Sequence, residues 1–276
     1  MKKLMIAAAL CAAGVCYGVE SSNIVGYQTA TVGAKTSIGL AIQFDAVTGA
    51  SLSFDVDKVV TGFTPKSSGR WGSAMDQMWI YDNENDEWKL YGYYKPTGGS
   101  ASWQRYDSVN DEFSALTSSD VVTSGETILY YNGQSSKDVE LQFSGAVKQF
   151  TATRDVTIDA KTSKYAAYPW PVQISVSDIT TKYLRNEAKS SGRWGNAMDQ
   201  IWVYDNENDE WALYGYYKPT GGSASWQRYD MANDEFTAIT SSDVVPAGNG
   251  FLYYNGQSKS DQEIHFYFGD TDPGTL

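Results

Sequence analysis

The sequence predicts an all-β protein of two tandem antiparallel units, each a β-sandwich or barrel-like fold, joined by a short connection. Runs rich in Val, Ile, Thr, Tyr and Trp recur about every ten residues between clusters of Gly, Asn, Asp, Ser and Pro, a spacing typical of antiparallel sandwiches and barrels. Long helical periodicity is missing. Residues 66–107 also recur as 189–230 with only four substitutions, which predicts two similar domains in tandem.

This repeat sets the expected domain bounds. Weaker similarity extends it on both sides, so we place repeat unit one at 19–147 and repeat unit two at 148–270, with a short C-terminal tail at 271–276. A recent duplication alone can produce such near-identity, so the repeat by itself assigns no function to its residues.

A shorter repeat lies inside each unit. Residues 81–91 and 106–116 align with each other, and each has the pattern of a strand, an acidic turn and a second strand. Apolar and β-branched runs between turn residues define the remaining strands. The strands predicted in unit one cover 25–32, 37–44, 52–60, 76–82, 87–95, 101–107, 112–116, 126–132 and 139–147.

The N-terminus has the pattern of an export signal. Lys2 and Lys3 precede an apolar run of about 12 residues and then small or mixed residues, as in a signal peptide. We predict a signal peptide at 1–18 and a secreted or cell-surface protein. The run is shorter than the roughly 20 residues that span a membrane, so we expect no membrane span after cleavage. Val15 before Cys16 departs from a lipoprotein signal, which has a small residue there.

Charge and cysteine content narrow the partners. Both cysteines, Cys11 and Cys16, lie in the predicted signal peptide, so each unit must be held by its own hydrophobic core rather than by disulfides. Cleavage takes the formal net charge from −12 to −14. So acidic a protein is a poor partner for nucleic acid or an anionic membrane, both of which require a cationic face.

The hairpin at 76–95 gives the best-defined prediction of side-chain direction. Met78 and Ile80 change in the second copy only to Ile201 and Val203, so we expect them to face the core. Pairing Ile80 with Leu90 across a five-residue loop then places aromatic side chains together on the outward face. This set consists of Trp79, Tyr91 and Tyr93 in unit one and Trp202, Tyr214 and Tyr216 in unit two.

Residues of common catalytic and metal sites are scarce. The single histidine, His265, corresponds to Gln142 in unit one, which argues against a shared catalytic triad or a zinc site. Acidic pairs such as Asp86 and Glu87 could serve glycoside hydrolysis. They lie in predicted turns, however, where Asp and Asn are favoured for local hydrogen bonding. We therefore expect no enzyme, no cofactor and no catalytic or metal residues, while a weak calcium site at the acidic turns stays open.

The aromatic residues are the most suggestive feature for binding. The chain has nine Trp and twenty Tyr, and flat rings on a rigid sheet can stack against sugar faces. Aromatic residues are also good strand formers and core residues, so packing and self-association are alternative explanations. The predicted ligand-binding residues are the six aromatic residues named above.

The opening and closing segments of unit one resemble a known group of proteins. Residues 22–28, SNIVGYQ, follow the signal, and residues 125–131, GETILYY, precede the apolar stretch 139–147. This resembles a family of exported bacterial tandem-repeat proteins, uncharacterised in function, whose units open with an NIVGY-type strand. The resemblance implies export and tandem β units and supplies no active residues. A fainter likeness of the Tyr-Asp hairpins to kelch blades leaves a propeller as a distant alternative.

These observations favour a non-catalytic secreted or cell-surface protein with a structural, adhesive or assembly role. The alternative is a carbohydrate-binding protein with two equivalent aromatic sites, and a glycoside-active enzyme is a third possibility. The expected partners are polysaccharides, other cell-surface components or further copies of the chain.

Overall fold

The computed structural model describes residues 25–42, 44–45, 53–55, 63–123, 126–147, 153–170 and 172–269. The predicted signal peptide at 1–18, the tail at 271–276 and the first residues of unit two at 148–152 lie outside these ranges. The all-β prediction is confirmed, since two six-stranded antiparallel sheets form the centres of two β-sandwich units. The helical residues described are the short helix α1, Val176–Asp178, and the π-helical turn Ile179–Tyr183. None of the described helices is long and apolar enough to cross a membrane.

Unit one contains a six-stranded sheet in the order β2-β10-β5-β6-β7-β8, a three-stranded sheet in the order β1-β11-β3, and the pair β4-β9. The predicted strand at 37–44 is divided between two strands, and of the predicted strand at 52–60 only residues 53–55 lie within the described ranges. The described strands of unit one are β1 Val25–Val32, β2 Ser37–Ala41, β3 Phe44–Asp45, β4 Ser53–Asp55, β5 Gln77–Asp82, β6 Glu87–Tyr94, β7 Ser102–Asp107, β8 Glu112–Ala115, β9 Val121–Thr123, β10 Thr127–Tyr131 and β11 Val139–Val147.

Unit two repeats this arrangement, with a six-stranded sheet in the order β13-β20-β15-β16-β17-β18 and the pairs β12-β21 and β14-β19. Its strands are β12 Arg154–Ile158, β13 Ser163–Ala167, β14 Ile174–Ser175, β15 Gln200–Asp205, β16 Glu210–Tyr217, β17 Ser225–Asp230, β18 Glu235–Ala238, β19 Val244–Val245, β20 Gly250–Tyr254 and β21 Gln262–Phe266.

Each core lies between the six-stranded sheet and the smaller sheet of its unit. In unit one, Val139 and Leu141 of β11 are buried, whereas Glu140 and Gln142 between and beyond them are exposed. This alternation is what a strand with one buried face requires. The buried residues of the unit-one core are Val32, Leu40, Ile42, Met78, Ile80, Tyr91, Trp103, Val122, Ile128, Tyr130, Val139 and Leu141.

The predicted register of the β5–β6 hairpin is wrong by one residue. Ile80 pairs with Lys89 rather than with Leu90, and the turn has four residues, 83–86. Because side chains alternate along a strand, a slip of one residue moves the whole returning strand to the opposite face. The inner face of the hairpin consists of Met78, Ile80, Lys89, Tyr91 and Tyr93, and the outer face of Gln77, Trp79, Tyr81, Trp88, Leu90 and Gly92.

The geometry of the turn explains the observed register. Asp86 has a φ of 57°, a left-handed conformation that Asp tolerates better than most residues and that closes the turn after four residues. Asp82 Oδ1 accepts hydrogen bonds from the amides of Glu84 and Asn85 at 2.9 and 3.3 Å, and the Tyr81 hydroxyl donates to Asp86. The other three Tyr-Asp hairpins share this geometry, with positive φ at Asp111, Asp209 and Asp234.

Candidate functional site

Two of the six predicted binding residues lie in the hydrophobic cores. Tyr91 and Tyr214 are 0% and 2% exposed, and their hydroxyls donate to Asp120 at 3.1 Å and to Asp243 at 3.0 Å. Burial, followed by the neighbouring carboxylate, raises the pKa of both hydroxyls. Because both rings are enclosed, a ligand has no access to them, and the prediction that they face outward is wrong.

Tyr93 and Tyr216 also lie on the inner face of their sheets, but both are partly exposed. Their ring centroids are 5.6 Å from those of Trp103 and Trp226 respectively. Tyr216 and Trp226 line a cavity of about 460 Å³ that reaches the π-helical turn of unit two. These two tyrosines therefore sit where the core meets its covering loops.

Trp79 and Trp202 are the predicted residues that do lie on the outer face. Each indole Nε1 donates to a glutamine two residues earlier, Gln77 at 3.2 Å and Gln200 at 2.9 Å. Trp79 also lines a small cavity of about 200 Å³ beside Tyr131. The predicted set is thus divided between the two faces of each sheet and does not form one cluster, while a ligand role for the two tryptophans stays a prediction.

The acidic turn of each unit makes a feature that the sequence did not reveal, a contact with the other unit. In unit two, Asn206 Oδ1 accepts a hydrogen bond from the Gly39 amide of β2 at 2.7 Å, and Asp209 Oδ1 accepts one from the Ser37 amide at 3.2 Å. Asn206 Nδ2 returns a longer bond of 3.4 Å to the Gly39 carbonyl. The turn therefore binds the edge of β2 that β10 leaves unpaired. We call this arrangement of turn and edge strand the clasp.

The same clasp runs in the opposite direction. Asn83 Oδ1 accepts from the Tyr165 amide of β13 at 2.7 Å, Asp86 Oδ1 accepts from the Ser163 amide at 3.0 Å, and Asn83 Nδ2 lies 3.4 Å from the Tyr165 carbonyl. The Tyr165 ring, 1% exposed, packs edge-on against Tyr81 and Trp88 of unit one with centroids 5.9 and 5.6 Å apart. Each unit thus supplies a turn and receives one.

Equivalent positions of the two units meet at the centre of this contact. Thr127 and Gly250 are the first residues of β10 and β20, and a Cβ added to Gly250 would lie 2.0 Å from Thr127 Oγ1. Contact between equivalent residues is the mark of a twofold, self-complementary interface. Gly39 occupies the position of Tyr165 in unit one, and a Cβ there would lie 2.7 Å from Asn249 Oδ1. The interface is therefore twofold in the hydrogen bonds of its turns but not in all its side chains.

The clasp engages two of the acidic turn residues that suggested other chemistry, Asp86 and Asp209. Asp86 and Asp209 accept hydrogen bonds from the opposite unit, and Asp82 accepts from its own turn and from Lys89 Nζ at 2.8 Å. Burial alone would raise the pKa of Asp82, but the hydrogen bonds from Lys89, Asn85 and the Glu84 amide hold this pKa well below its usual range. Carboxylate oxygens of Asp82, Asp86 and Asp209 are thus already engaged in hydrogen bonds, and a calcium site at the acidic turns stays a prediction.

One group of possible metal ligands lies in unit two. Ligand atoms of Asp155, Glu263 and His265 all lie within 4.8 Å of one another on the outer surface of β12 and β21. His265 Nδ1 is hydrogen bonded to Asp155 Oδ1. In unit one, the positions equivalent to Asp155 and His265 are occupied by Thr29 and Gln142, which pair directly across β1 and β11. This group of possible ligands therefore does not recur in unit one.

The outer face of each six-stranded sheet carries a second aromatic group, which we call the aromatic groove. In unit one, Trp71 stacks on Tyr106 with centroids 4.4 Å apart and planes 3° apart, and Tyr94 stacks on Phe113 at 4.1 Å and 15°. The two pairs meet where Tyr106 and Phe113 lie 5.1 Å apart. A cavity of about 560 Å³ is lined by these four rings together with Gly69, Arg70, Asp111 and Glu112.

Unit two has the same aromatic groove. Trp194 stacks on Tyr229 at 4.5 Å and 4°, and Tyr217 stacks on Phe236 at 4.0 Å and 12°. No pattern in the sequence indicates that Trp71 lies over β6, β7 and β8. The contact depends on the loop before β5, whose path is a tertiary feature.

The fold and these contacts define the class of the protein as a tandem β-sandwich. Searches of family models, of curated proteins and of solved structures each found no match.

Proposed function

We propose that this protein is a non-catalytic secreted or cell-surface building block with a structural, adhesive or assembly role. One observation carries the proposal: each six-stranded sheet has one edge covered by the other unit and one edge that no described strand covers. The covered edges are β2 and β13, and the open edges are β8 and β18.

The open edges lie at the far ends of the two sheets. Five strand spacings separate β2 from β8 and β13 from β18, which is roughly 24 Å at about 4.8 Å per strand. The clasp joins the two sheets through β2 and β13, the edges that lie opposite β8 and β18. The molecule therefore has two outward ends, β8 and β18, with the same structure. A body with two equivalent ends can add a partner at each end and so form extended assemblies.

An unpaired edge strand is a template for another strand, because its N–H and C=O groups lack backbone partners. In β8, Glu112, Ser114 and Ala115 are exposed and only Phe113 is half-buried. The occupant that we propose is the corresponding edge of a second copy of the chain. The expected net charge of −14 after signal cleavage opposes such pairing, so association should strengthen with added salt, which screens charge repulsion.

Sedimentation velocity of the mature protein, measured over a series of concentrations and salt levels, tests this proposal. We expect a mass that rises with concentration and more steeply at high salt. A monomer of constant mass under all conditions, with no retention on intact cells or cell envelopes, would overturn it.

Paired proline variants locate the contact. Adjacent N–H groups on an edge strand point in opposite directions, so one of two double variants, Ser114→Pro with Thr237→Pro or Ala115→Pro with Ala238→Pro, removes only outward donors. The double variant that removes outward donors should keep the native circular dichroism spectrum and lose association. The double variant that removes donors to β7 and β17 should lose both association and stability. Association that survives in the folded variant would place the contact elsewhere.

Export is tested separately by N-terminal sequencing of the protein recovered from its native cells. We expect the mature chain to begin near Val19 and to be found outside the cytoplasm. A chain that retains Met1 inside the cell would contradict this part of the proposal.

A further inference from the structure

The aromatic groove is separate from the clasp and shares only Glu112 and Phe113 with the open edge strand β8. It lies on the outer face of β6, β7 and β8 and is lined by no residue of the clasp. Its volume of about 560 Å³ is within the range of sites that enclose small ligands, roughly 300–1,000 Å³. The same rings, with the same stacking, recur in unit two.

We propose that the aromatic groove of each unit binds a neutral hexopyranose unit of a polysaccharide. The unit-one site consists of Arg70, Trp71, Tyr94, Tyr106, Asp111 and Phe113, and the unit-two site of Arg193, Trp194, Tyr217, Tyr229, Asp234 and Phe236. This is a binding activity beyond the assembly role, and it uses residues other than the aromatic set predicted from the sequence.

The rings form a rigid platform. Trp71 lies over Gly92, where an added Cβ would be 3.2 Å from both the Trp71 and the Phe113 rings and 2.7 Å from Met75 Sδ. Only glycine at this position lets the indole approach the sheet so closely. Packing against the sheet and against Tyr106 fixes the Trp71 ring, so binding costs it little rotamer freedom.

Polar groups stand at the border of this platform, as recognition of sugar hydroxyls requires. The Tyr106 hydroxyl donates to Asp111 Oδ1 at 2.8 Å, which fixes the carboxylate beside the rings. Arg70 and Glu112 are exposed on the same cavity. A pyranose places C–H groups on its ring faces and hydroxyls around its rim, so it matches an aromatic floor with guanidinium donors and carboxylate acceptors at the edge.

The charge of the site favours a neutral sugar. Two carboxylates, Asp111 and Glu112, and one guanidinium, Arg70, line the unit-one cavity, so its formal charge is negative like that of the whole chain. Uronic acids and sulfated sugars would be repelled. Two such sites on one chain would raise the apparent affinity for a polymer, since the second binding event becomes intramolecular.

Isothermal titration of the full mature protein with cellohexaose, laminarihexaose, mannohexaose and chitohexaose, and with polygalacturonate as the acidic comparison, tests the proposal. We expect saturable binding to at least one neutral oligosaccharide with two sites per chain. The single variant Trp71→Ala should leave one site, and Trp71→Ala with Trp194→Ala should weaken binding by roughly tenfold or more.

The matched control is Trp79→Ala, which removes a tryptophan from the same outer face outside the groove, whereas Trp202 is unsuitable because its ring centroid lies 6.2 Å from that of Trp194. It should retain binding. Because loss of Trp71 could disturb the loop, Arg70→Gln with Arg193→Gln gives a second test with exposed side chains and should weaken binding severalfold. Neither groove variant should alter the sedimentation behaviour, which keeps this proposal distinguishable from the assembly role.

Three results would overturn the proposal. These are no binding of any neutral probe by the folded protein, binding of the acidic polymer alone, and loss of binding in the Trp79→Ala control while both groove variants still bind.

Discussion

Single buried polar residues fix much of the geometry of each unit, and Asp76 is the clearest case. Its side chain is fully buried and accepts hydrogen bonds from the Tyr130 hydroxyl and the Gly133 amide, both at 2.7 Å. Burial raises the pKa of Asp76 above its ordinary value of 3.8, although both donors favour the charged form. Asp199 makes the same contacts in unit two with Tyr253 and Gly256.

We predict that Tyr130→Phe lowers the free energy of unfolding by about 1.5–3 kcal/mol at neutral pH, because a buried carboxylate loses a donor. The folded pKa of Asp76 lies above the unfolded one, so protonation favours the folded state as the pH falls from neutral towards 3.8. The variant raises this pKa further, so its deficit should shrink with falling pH. Urea unfolding at neutral pH and at about pH 4 measures both effects.

Tyr131→Phe is the control for this experiment, since the Tyr131 hydroxyl makes only an exposed bond of 3.3 Å to the Ser73 carbonyl. It should change stability little at either pH. A Tyr130→Phe deficit that stays constant with pH would contradict the role assigned to Asp76.

The Lys89–Asp82 ion pair should matter much less to stability. Ala212 replaces Lys89 in unit two, where Asp205 keeps its turn geometry without that lysine. We predict that Lys89→Ala costs under about 1 kcal/mol, as for most partly exposed ion pairs, and raises the pKa of Asp82. The lowered pKa of Asp82 stabilises the folded state at pH values above 3.8, and this stabilisation is lost as the pH falls through the folded pKa. Because the folded pKa of Asp82 is higher in Lys89→Ala, the variant should lose this stabilisation at a higher pH.

An NMR titration of the Asp82 carboxyl, with urea unfolding beside it, checks this prediction. An unchanged pKa for Asp82 in Lys89→Ala would mean that the turn amides alone hold the charge. A stability loss well above 1 kcal/mol would mean that the lysine stem has a packing role.

At the scale of elements, the four Tyr-Asp hairpins share one turn but not one function. The turns of β5–β6 and β15–β16 have Asn at their first position, Asn83 and Asn206, and these bind the opposite unit. The corresponding residues in the β7–β8 and β17–β18 turns are Ser108 and Met231, which are exposed. The asparagine therefore converts a common turn into half of a clasp, because its amide offers an acceptor and a donor to one strand.

We predict that Asn83→Ser keeps the turn, since Ser108 is accommodated in the same geometry, but releases the Tyr165 amide. A buried N–H without its acceptor costs about 1–3 kcal/mol, so hydrogen exchange at Tyr165 should accelerate. Asn206→Ser should do the same to the Gly39 amide. Ser108→Ala is the control and should leave exchange at both amides unchanged, whereas unchanged protection of Tyr165 in Asn83→Ser would contradict the clasp.

At the scale of the whole molecule, the clasps make the two units depend on each other. Besides the turn contacts, the Ala41 amide of β2 donates to the Gly248 carbonyl of unit two at 2.7 Å. Such contacts couple the unfolding of neighbouring domains when they contribute a sizeable part of the stability.

We predict that the mature protein unfolds in one calorimetric transition and that Asn83→Ser with Asn206→Ser separates it into two. The unit-two core, with Trp170, Phe251 and Phe266 fully buried, should unfold at the higher temperature. Differential scanning calorimetry measures this through the ratio of calorimetric to van't Hoff enthalpy, which should exceed one only in the double variant. Two transitions in the unaltered protein would show that the clasps do not couple the units.

The sequence by itself determined most of the described strands of unit one, the tandem repeat and the identity of Met78 and Ile80 as core positions, but it missed β9 and the division of the strand at 37–44. These follow from local residue preferences and from period-two alternation, which act within a few residues. Tertiary structure alone decided the register of the strand after Asp86, because the left-handed conformation of Asp86 makes the turn one residue shorter than predicted. In this register Tyr91 faces the core and Trp88 faces outward. It also decided that Asn83 and Asn206 bind the opposite unit and that Trp71 covers Gly92, since these contacts join residues distant in the chain and no local pattern encodes them.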